Sequence, residues 1–323
     1  MKQSFWAALA VCALLGAPAR AACDASLSVP ASLRRAETVA DYSPVLKLCH
    51  GAGADQVAIR EMKLGGEPAL LLADPETLAT RLERAACWTC ADVAESALQS
   101  TRLMRAIEKS AQAPGLAHRG FLANAGLTQG EPGGGYFTGD LCPSRRPIDR
   151  AFLATLEGKT EPTPIALSIS GLWLKHHFAD YRWLLGQEAQ AKLKITWINH
   201  TYTHPYSKGV ADSANFLLEP KVDPDFEILE TERLLIANGR TPSVFFRFPG
   251  LVSSSPLMQA VRRHHLIALG ADAWLALNQK PRDGSIILVH PNGNEERGLK
   301  IYQRDAAEGL LPAPLKPLDE APQ

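Results

Sequence analysis

Leu193-Lys194-Ile195-Thr196-Trp197-Ile198 runs directly into Asn199-His200-Thr201-Tyr202-Thr203-His204. The first six residues have the apolar composition of a buried strand. The next six place two histidines four residues apart, fenced by hydroxyls. Imidazoles at i and i+4 share one face of a helical turn, which suits two ligands of one metal ion. Two packed or surface histidines would have the same spacing, so the rest of the chain has to decide.

From Tyr136 onward, strand and helix patterns alternate. Apolar runs predict strands at 135–141, 165–170, 193–198, 244–248, 266–271 and 286–289, with helices at 148–156, 172–193, 226–238 and 256–264. Repeated β-then-α units imply parallel strands in a closed barrel or doubly wound sheet, with reactive groups at the strands' carboxyl ends. Asp140 falls at the end of the first strand and His200 and His204 just beyond the third. Arg247 ends the fourth, Asp272 follows the fifth and His290 follows the sixth. Five strands thus deliver ionisable side chains to one rim, which selects the metal reading. One carboxylate and two neutral imidazoles leave open positions on a divalent ion, and the donors suit Zn2+. His290 is a candidate general acid, with a substitute ligand or a packed histidine as the alternatives. Asp272 would fix the His290 tautomer or cap a helix, and Arg247 would pair a carboxylate or form an ordinary salt bridge. His176-His177 and His264-His265 read as packing or solvated residues.

The ordered segments Thr138-Gly139-Asp140, His200-Thr201-Tyr202-Thr203-His204, Arg247-Phe248-Pro249-Gly250, Asp272-Ala273-Trp274 and Leu288-Val289-His290 resemble the five motifs of the polysaccharide deacetylase family with the NodB-homology domain. The resemblance spans residues 135–295. It implies a distorted (β/α) barrel and metal-dependent removal of acetyl groups from a glycan such as peptidoglycan, chitin or xylan. It further implies Asp140, His200 and His204 as the metal ligands and His290 as the general acid. The family pairs two adjacent aspartates, a base and then a ligand. With Asp140 as the ligand, Gly139 stands where the base belongs, while the arginine that would steady that base is present as Arg247. Gly250 stands in place of the usual aromatic.

The 323 residues are 46% hydrophobic and 21% charged, a globular composition. Lys+Arg and Asp+Glu both total 34, so no basic field points to nucleic acid. Residues 1–21 run from Lys2 through an apolar core to Ala19-Arg20-Ala21, the pattern of a secretory signal peptide, and the apolar run is shorter than the ~20 residues of a membrane span. Loss of Lys2 and Arg20 leaves 32 basic against 34 acidic residues, a net charge of −2. The expected product is exported to the periplasm or beyond, where disulfides persist. Of its five cysteines, Cys87 and Cys90 in Cys87-Trp88-Thr89-Cys90 are the nearest candidate pair. Residues 22–132 form an unassigned N-terminal region, with a strand at 67–73 and helical spacing of Val93, Leu98, Leu103 and Ile107 across 91–112. Gln129-Gly130-Glu131-Pro132-Gly133-Gly134-Gly135 lacks the Gly-Lys-Ser/Thr of a phosphate loop and reads as a linker or turn. Residues 133–300 then form the barrel and 301–323 a C-terminal tail. The leading expectation is a metal-dependent deacetylase-like hydrolase. A glycan- or envelope-binding protein that retains the groove, or a hydrolase of another C–N bond, are the alternatives that Gly139 favours.

Overall fold

The computed structural model describes residues 23–25, 27–51 and 53–322; the signal-like segment lies outside them. Strands β1 (Val39–His50), β2 (Gln56–Leu64), β3 (Glu67–Ala73), β4 (Thr80–Arg84) and β5 (Thr89–Asp92) form an antiparallel sheet in the order β4-β3-β2-β1-β5. The 67–73 strand is therefore as expected. The disulfide pairing is corrected: Cys49 faces Cys90 across the β1–β5 ladder and bonds it, while Cys87 bonds Cys23. Ladder register, not closeness in sequence, selects each partner. The helical spacing across 91–112 is also interrupted. β5 takes its first residues, α1 is a single turn (Glu95–Leu98), and α2 (Arg102–Gln112) starts afresh where the Thr101 side chain accepts from the Met104 amide.

After α2 the chain does not leave for a separate domain. The Ser110 hydroxyl accepts from the Ala268 amide, and β6 (Leu116–His118) with β7 (Phe121–Ala123) joins the later segment Val252–Ser253. The second body follows: β8 (Tyr136–Leu141), α3 (Arg150–Ala154), β9 (Thr163–Ile169), α4 (Gly171–His176), α5 (Phe178–Ala189), β10 (Leu193–Asn199), α6 (Pro224–Ala237), β11 (Phe245–Phe246), β12 (Val252–Ser253), α7 (Ser255–Arg263), β13 (Ile267–Ala268), β14 (Ala273–Trp274), β15 (Ile286–Val289) and α8 (Glu296–Ala307). Its seven-stranded sheet runs β13-β11-β10-β9-β8-β15-β14 with every pairing parallel, the curled (β/α) barrel sheet that the alternating patterns imply. The helix expected at 172–193 is two helices. The break is at His177, whose imidazole turns aside to donate to the Ser144 carbonyl. The boundary expected at 300 falls inside α8, whose Tyr302 packs edge-on against Phe137 and Phe152.

Parity along the strands decides what faces inward. Tyr136, Ala166, Ile198, Phe245, Ile286 and Leu288 belong to one buried cluster; Phe137, Leu141, Ile165, Leu167, Trp197, Ile287 and Val289 belong to another, with Trp173, Leu184 and Leu299 from the helices. The first set lines the barrel interior and the second lies under the helix layer. The edge strands β13 and β14 do not pair with each other. Between them, the Asn124 side chain donates to the Ala271 carbonyl at 2.7 Å and accepts from the Ala271 amide at 2.9 Å, and Leu127 bridges to Leu269. Gly126 can lie against this seam because it lacks a side chain: a Cβ would stand 2.5 Å from the Ala268 carbonyl oxygen, at a φ of +104°.

Candidate metal centre

Continuing the inward parity by two residues from Tyr136, Ile198, Phe245 and Leu288 leads to Thr138 and Asp140, His200, Arg247 and His290. All are buried. The interior is apolar at one end of these strands and polar at their carboxyl ends.

His200 is the first residue past β10, and its Nδ1 donates to the Arg247 carbonyl at 2.8 Å. That bond fixes the tautomer and leaves the Nε2 lone pair directed into the site. His204 does not arrive on a helical turn. Residues 200–206 are a loop in which Thr201 (φ +67°) and His204 (φ +50°) adopt left-handed backbone, bringing the two rings to 4.8 Å. The loop is fixed from two sides. The Gly171 and Leu172 amides donate to the Thr201 and Tyr202 carbonyls, and Glu227 of α6 accepts from both the Thr203 amide and its hydroxyl. The four-residue spacing thus brings two imidazoles together through a pinned loop.

Cys142, which the sequence reading left without a role, sits two residues beyond Asp140. Its Sγ lies 3.5 Å from His200 Nε2, and Cys142, His200 and His204 form a group whose donor atoms all fall within 4.8 Å of one another. His204 Nε2 is enclosed and has no hydrogen-bond partner among the described residues. One ion with bonds of about 2.0–2.3 Å fits between donors so spaced, and two nitrogens with one sulfur is a zinc-type set. Burial opposes ionisation of the Cys142 thiol, but the neighbouring imidazoles of His204 and His200 hold it well below the usual thiol range.

Asp140 is engaged differently. One of its oxygens accepts from Arg247 Nη1 at 2.9 Å, and the other lies 3.6 Å from His200 Nε2. Arg247 Nη1 also donates to the Thr138 hydroxyl, and Nη2 to the Gly270 carbonyl. Burial would raise the Asp140 carboxyl, but Arg247 above all, with His200 and His290, holds it down at about 2. Gly139 has the opposite parity. A Cβ there would meet Leu167 Cδ2 at 3.0 Å and Pro291 Cγ at 3.1 Å, on the helix side of the sheet. The position that seemed to lack a base does not face the site, and the arginine expected to steady a base holds Asp140.

The partner of His290 is corrected. Its Nδ1 pairs with Glu295 at 2.8 Å, and the same oxygen accepts from the Trp274 indole at 2.8 Å. Asp272 instead accepts from the Ser285 hydroxyl and the Ile286 amide, tying the loop before β15. Burial opposes a charge on His290, yet the nearby Cys142 sulfur and the bonded Glu295 carboxylate, with Asp140, push it up to about 10. Nothing local in the sequence marks Glu295, because its approach depends on how residues 291–294 turn. At Gly250 a Cβ would stand 2.5 Å from the Phe216 ring, which edges His204 at 6.3 Å. Phe216, from the loop before α6, thus supplies an aromatic ring beside Gly250 and His204.

No family model matches the chain. Solved structures to which it is similar include a family 4 carbohydrate esterase from Bacillus anthracis, at 20% identity over 61% of this chain and 87% of that one, with a TM-score of 0.43. A second is a family 4 carbohydrate esterase from Streptomyces lividans in complex with acetate, at 20% identity over 60% of this chain and 98% of that one, TM-score 0.39. A third is a CE4 family pseudoenzyme from Bacillus anthracis, at 13% identity over 59% of this chain and 67% of that one, TM-score 0.40. The structural neighbours are family 4 carbohydrate esterases, pseudoenzymes among them.

Proposed function

We propose that the chain is a divergent polysaccharide deacetylase, an exported metal-dependent hydrolase that removes acetyl groups from a glycan. The observation that carries this reading is the single buried rim where His200, His204 and Cys142 stand beside an Arg247-held Asp140 and a Glu295-held His290. Support comes from Asp140, His200, His204, Arg247 and His290, which belong to four of the five motifs; Asp272 of the fourth motif lies elsewhere, on Ser285 and Ile286. Export draws support from the two disulfides, and no helix among the described residues is long and apolar enough to cross a membrane.

A divalent ion, zinc by donor type, would be held by His200 and His204 with a third donor from Asp140 or Cys142; bound, it polarises an acetyl carbonyl and acidifies water. Asp140 is a carboxylate with one oxygen committed to Arg247 and the other facing the histidines, so it is placed to take the proton of an attacking water. His290, protonated and oriented through Glu295, is placed to give a proton to the departing amine or alcohol as the acyl bond breaks. The products are acetate and the freed amine or hydroxyl.

The experiment measures acetate released from acetylated chitooligosaccharides, peptidoglycan and acetylxylan, with metal content followed in parallel. Release from one of these by the metal-loaded protein, reduced about 10²–10⁴-fold in His290→Asn, supports the reading. A protein that binds metal and releases acetate from none of them is a binding protein on the same scaffold.

A further inference from the structure

We infer that Cys142 supplies the third protein ligand, so that the metal is held by two imidazoles and one thiolate, with Asp140 left outside the first coordination sphere. The inference rests on the metal-dependent reading above and specifies its centre.

Four observations carry it. Cys142 Sγ and one ring nitrogen each of His200 and His204 lie within 4.8 Å of one another, whereas Asp140 is not part of that group. His200 Nε2 faces Sγ at 3.5 Å while its Nδ1 is fully used by the Arg247 carbonyl. His204 Nε2 is enclosed and without a hydrogen-bond partner among the described residues; a buried imidazole nitrogen in that state has lost water and gained nothing in return. Asp140 is held through Arg247, itself anchored to Thr138 and Gly270, so only its second oxygen, 3.6 Å from His200 Nε2, faces the histidines, and it lies outside the group that Cys142 completes.

The backbone at Cys142 is placed as firmly as a ligand requires. Its carbonyl accepts from the Asn292 side chain at 2.8 Å, and the following turn is tied where Ser144 donates to the Asn292 carbonyl. Position 141 cannot serve, because Leu141 has outward parity and lies in the core beneath the helices. Among the described residues, Cys142 is also the cysteine kept out of both disulfides. A thiolate for a carboxylate leaves the site's formal charge unchanged and shifts its preference toward softer ions such as zinc.

The test uses the full mature protein, stripped of metal and reloaded with Co2+ as a spectroscopic stand-in for Zn2+. The expected result is an intense near-ultraviolet sulfur-to-cobalt charge-transfer band. It is absent from Cys142→Ser and kept in Asp140→Asn. Zinc affinity should fall more than about a hundredfold in Cys142→Ser, while Asp140→Asn stays within the roughly 10–100-fold typical of an outer-sphere partner. Bound cobalt without that band, or a band that survives Cys142→Ser, overturns the inference. If Cys142→Ser does not fold, X-ray absorption of the wild-type zinc protein decides: sulfur scattering at about 2.3 Å supports the thiolate, and a shell of nitrogen and oxygen alone refutes it. A protein with the band but no acetate release would sink the deacetylase reading and leave this one standing. An active enzyme without the band would do the reverse.

Discussion

Replacing Arg60 by methionine should destabilise the protein by about 3–5 kcal/mol. Arg60 lies in β2 and is fully enclosed. Its Nε and Nη2 bond both oxygens of Glu232 on α6, at 2.8 and 3.1 Å, and its Nη1 donates to the Ile59 and His264 carbonyls. Tyr42 donates to the same carboxylate at 2.8 Å. Methionine approximates the stem but leaves Glu232 charged and desolvated with only the Tyr42 hydroxyl for company. That uncompensated charge, more than the lost attraction, sets the magnitude. The double variant Arg60→Met/Glu232→Leu removes both charges and should recover most of the loss, leaving about 1 kcal/mol for the orphaned Tyr42 hydroxyl and backbone carbonyls. Urea unfolding with the disulfides intact, followed by fluorescence and circular dichroism, gives the cycle. A single variant within 1 kcal/mol of the wild type, or a double variant no better than the single, would refute the reasoning. The same helix presents Glu227 to Thr203, so Arg60→Met should also weaken binding of the proposed metal, although none of the Arg60 bonds reaches the 200–206 loop.

Gly139→Asp should give no increase in acetate release, since the new carboxylate would point between Leu167 and Pro291; a loss of several kcal/mol in unfolding is expected, and a tenfold gain in activity would contradict the parity assignment. Glu295→Gln removes one of the contacts that raise His290, so the alkaline limb of the pH–rate profile should move to lower pH; an unmoved limb would mean that His290 is not the acid. His265 is pushed from the ordinary 6.5 down to about 4, first by burial and then by the charge of Arg60. The folded protein then takes up its proton later than the unfolded chain, so stability is full above pH 6.5 and is lost as pH falls toward 4, by about 3 kcal/mol from this group. His265→Asn, which tolerates the φ of +56°, should narrow the pH 7 to pH 4 stability difference by that amount in denaturant titrations.

The barrel was legible because parallel strands buried on both faces are long apolar runs, and those at 136–141, 193–199 and 286–289 stand within a residue or so of where the pattern puts them. Strands β11 and β13 shrink to two residues each, since the rest of those apolar runs is loop packed against neighbours that the sequence does not identify. The rim was legible for a related reason: a strand end is visible in sequence, and so is a charge just past it. Which neighbour each charge meets was not. Arg247 meets Asp140, and Glu295 rather than Asp272 meets His290, because those choices depend on loop paths. Cys142 was within reach, since counting by two from Tyr136 arrives at it as surely as at Asp140. Gly139, which the paired-aspartate pattern singles out, has the wrong parity for the interior.

The strip formed by Asn124, Gly126 and Leu127 along the β13–β14 gap makes the tempting cut at residue 132 a hazardous one. A fragment starting there would keep every motif and still carry two bare strand margins with Ala271 stripped of both its backbone partners. Such margins recruit other copies of themselves, so the excised barrel should precipitate or form sheet-extended multimers rather than behave as a small soluble enzyme. Expression trials should therefore start upstream of the first disulfide, and an inactive short fragment would speak about its unpaired edge before it spoke about its chemistry.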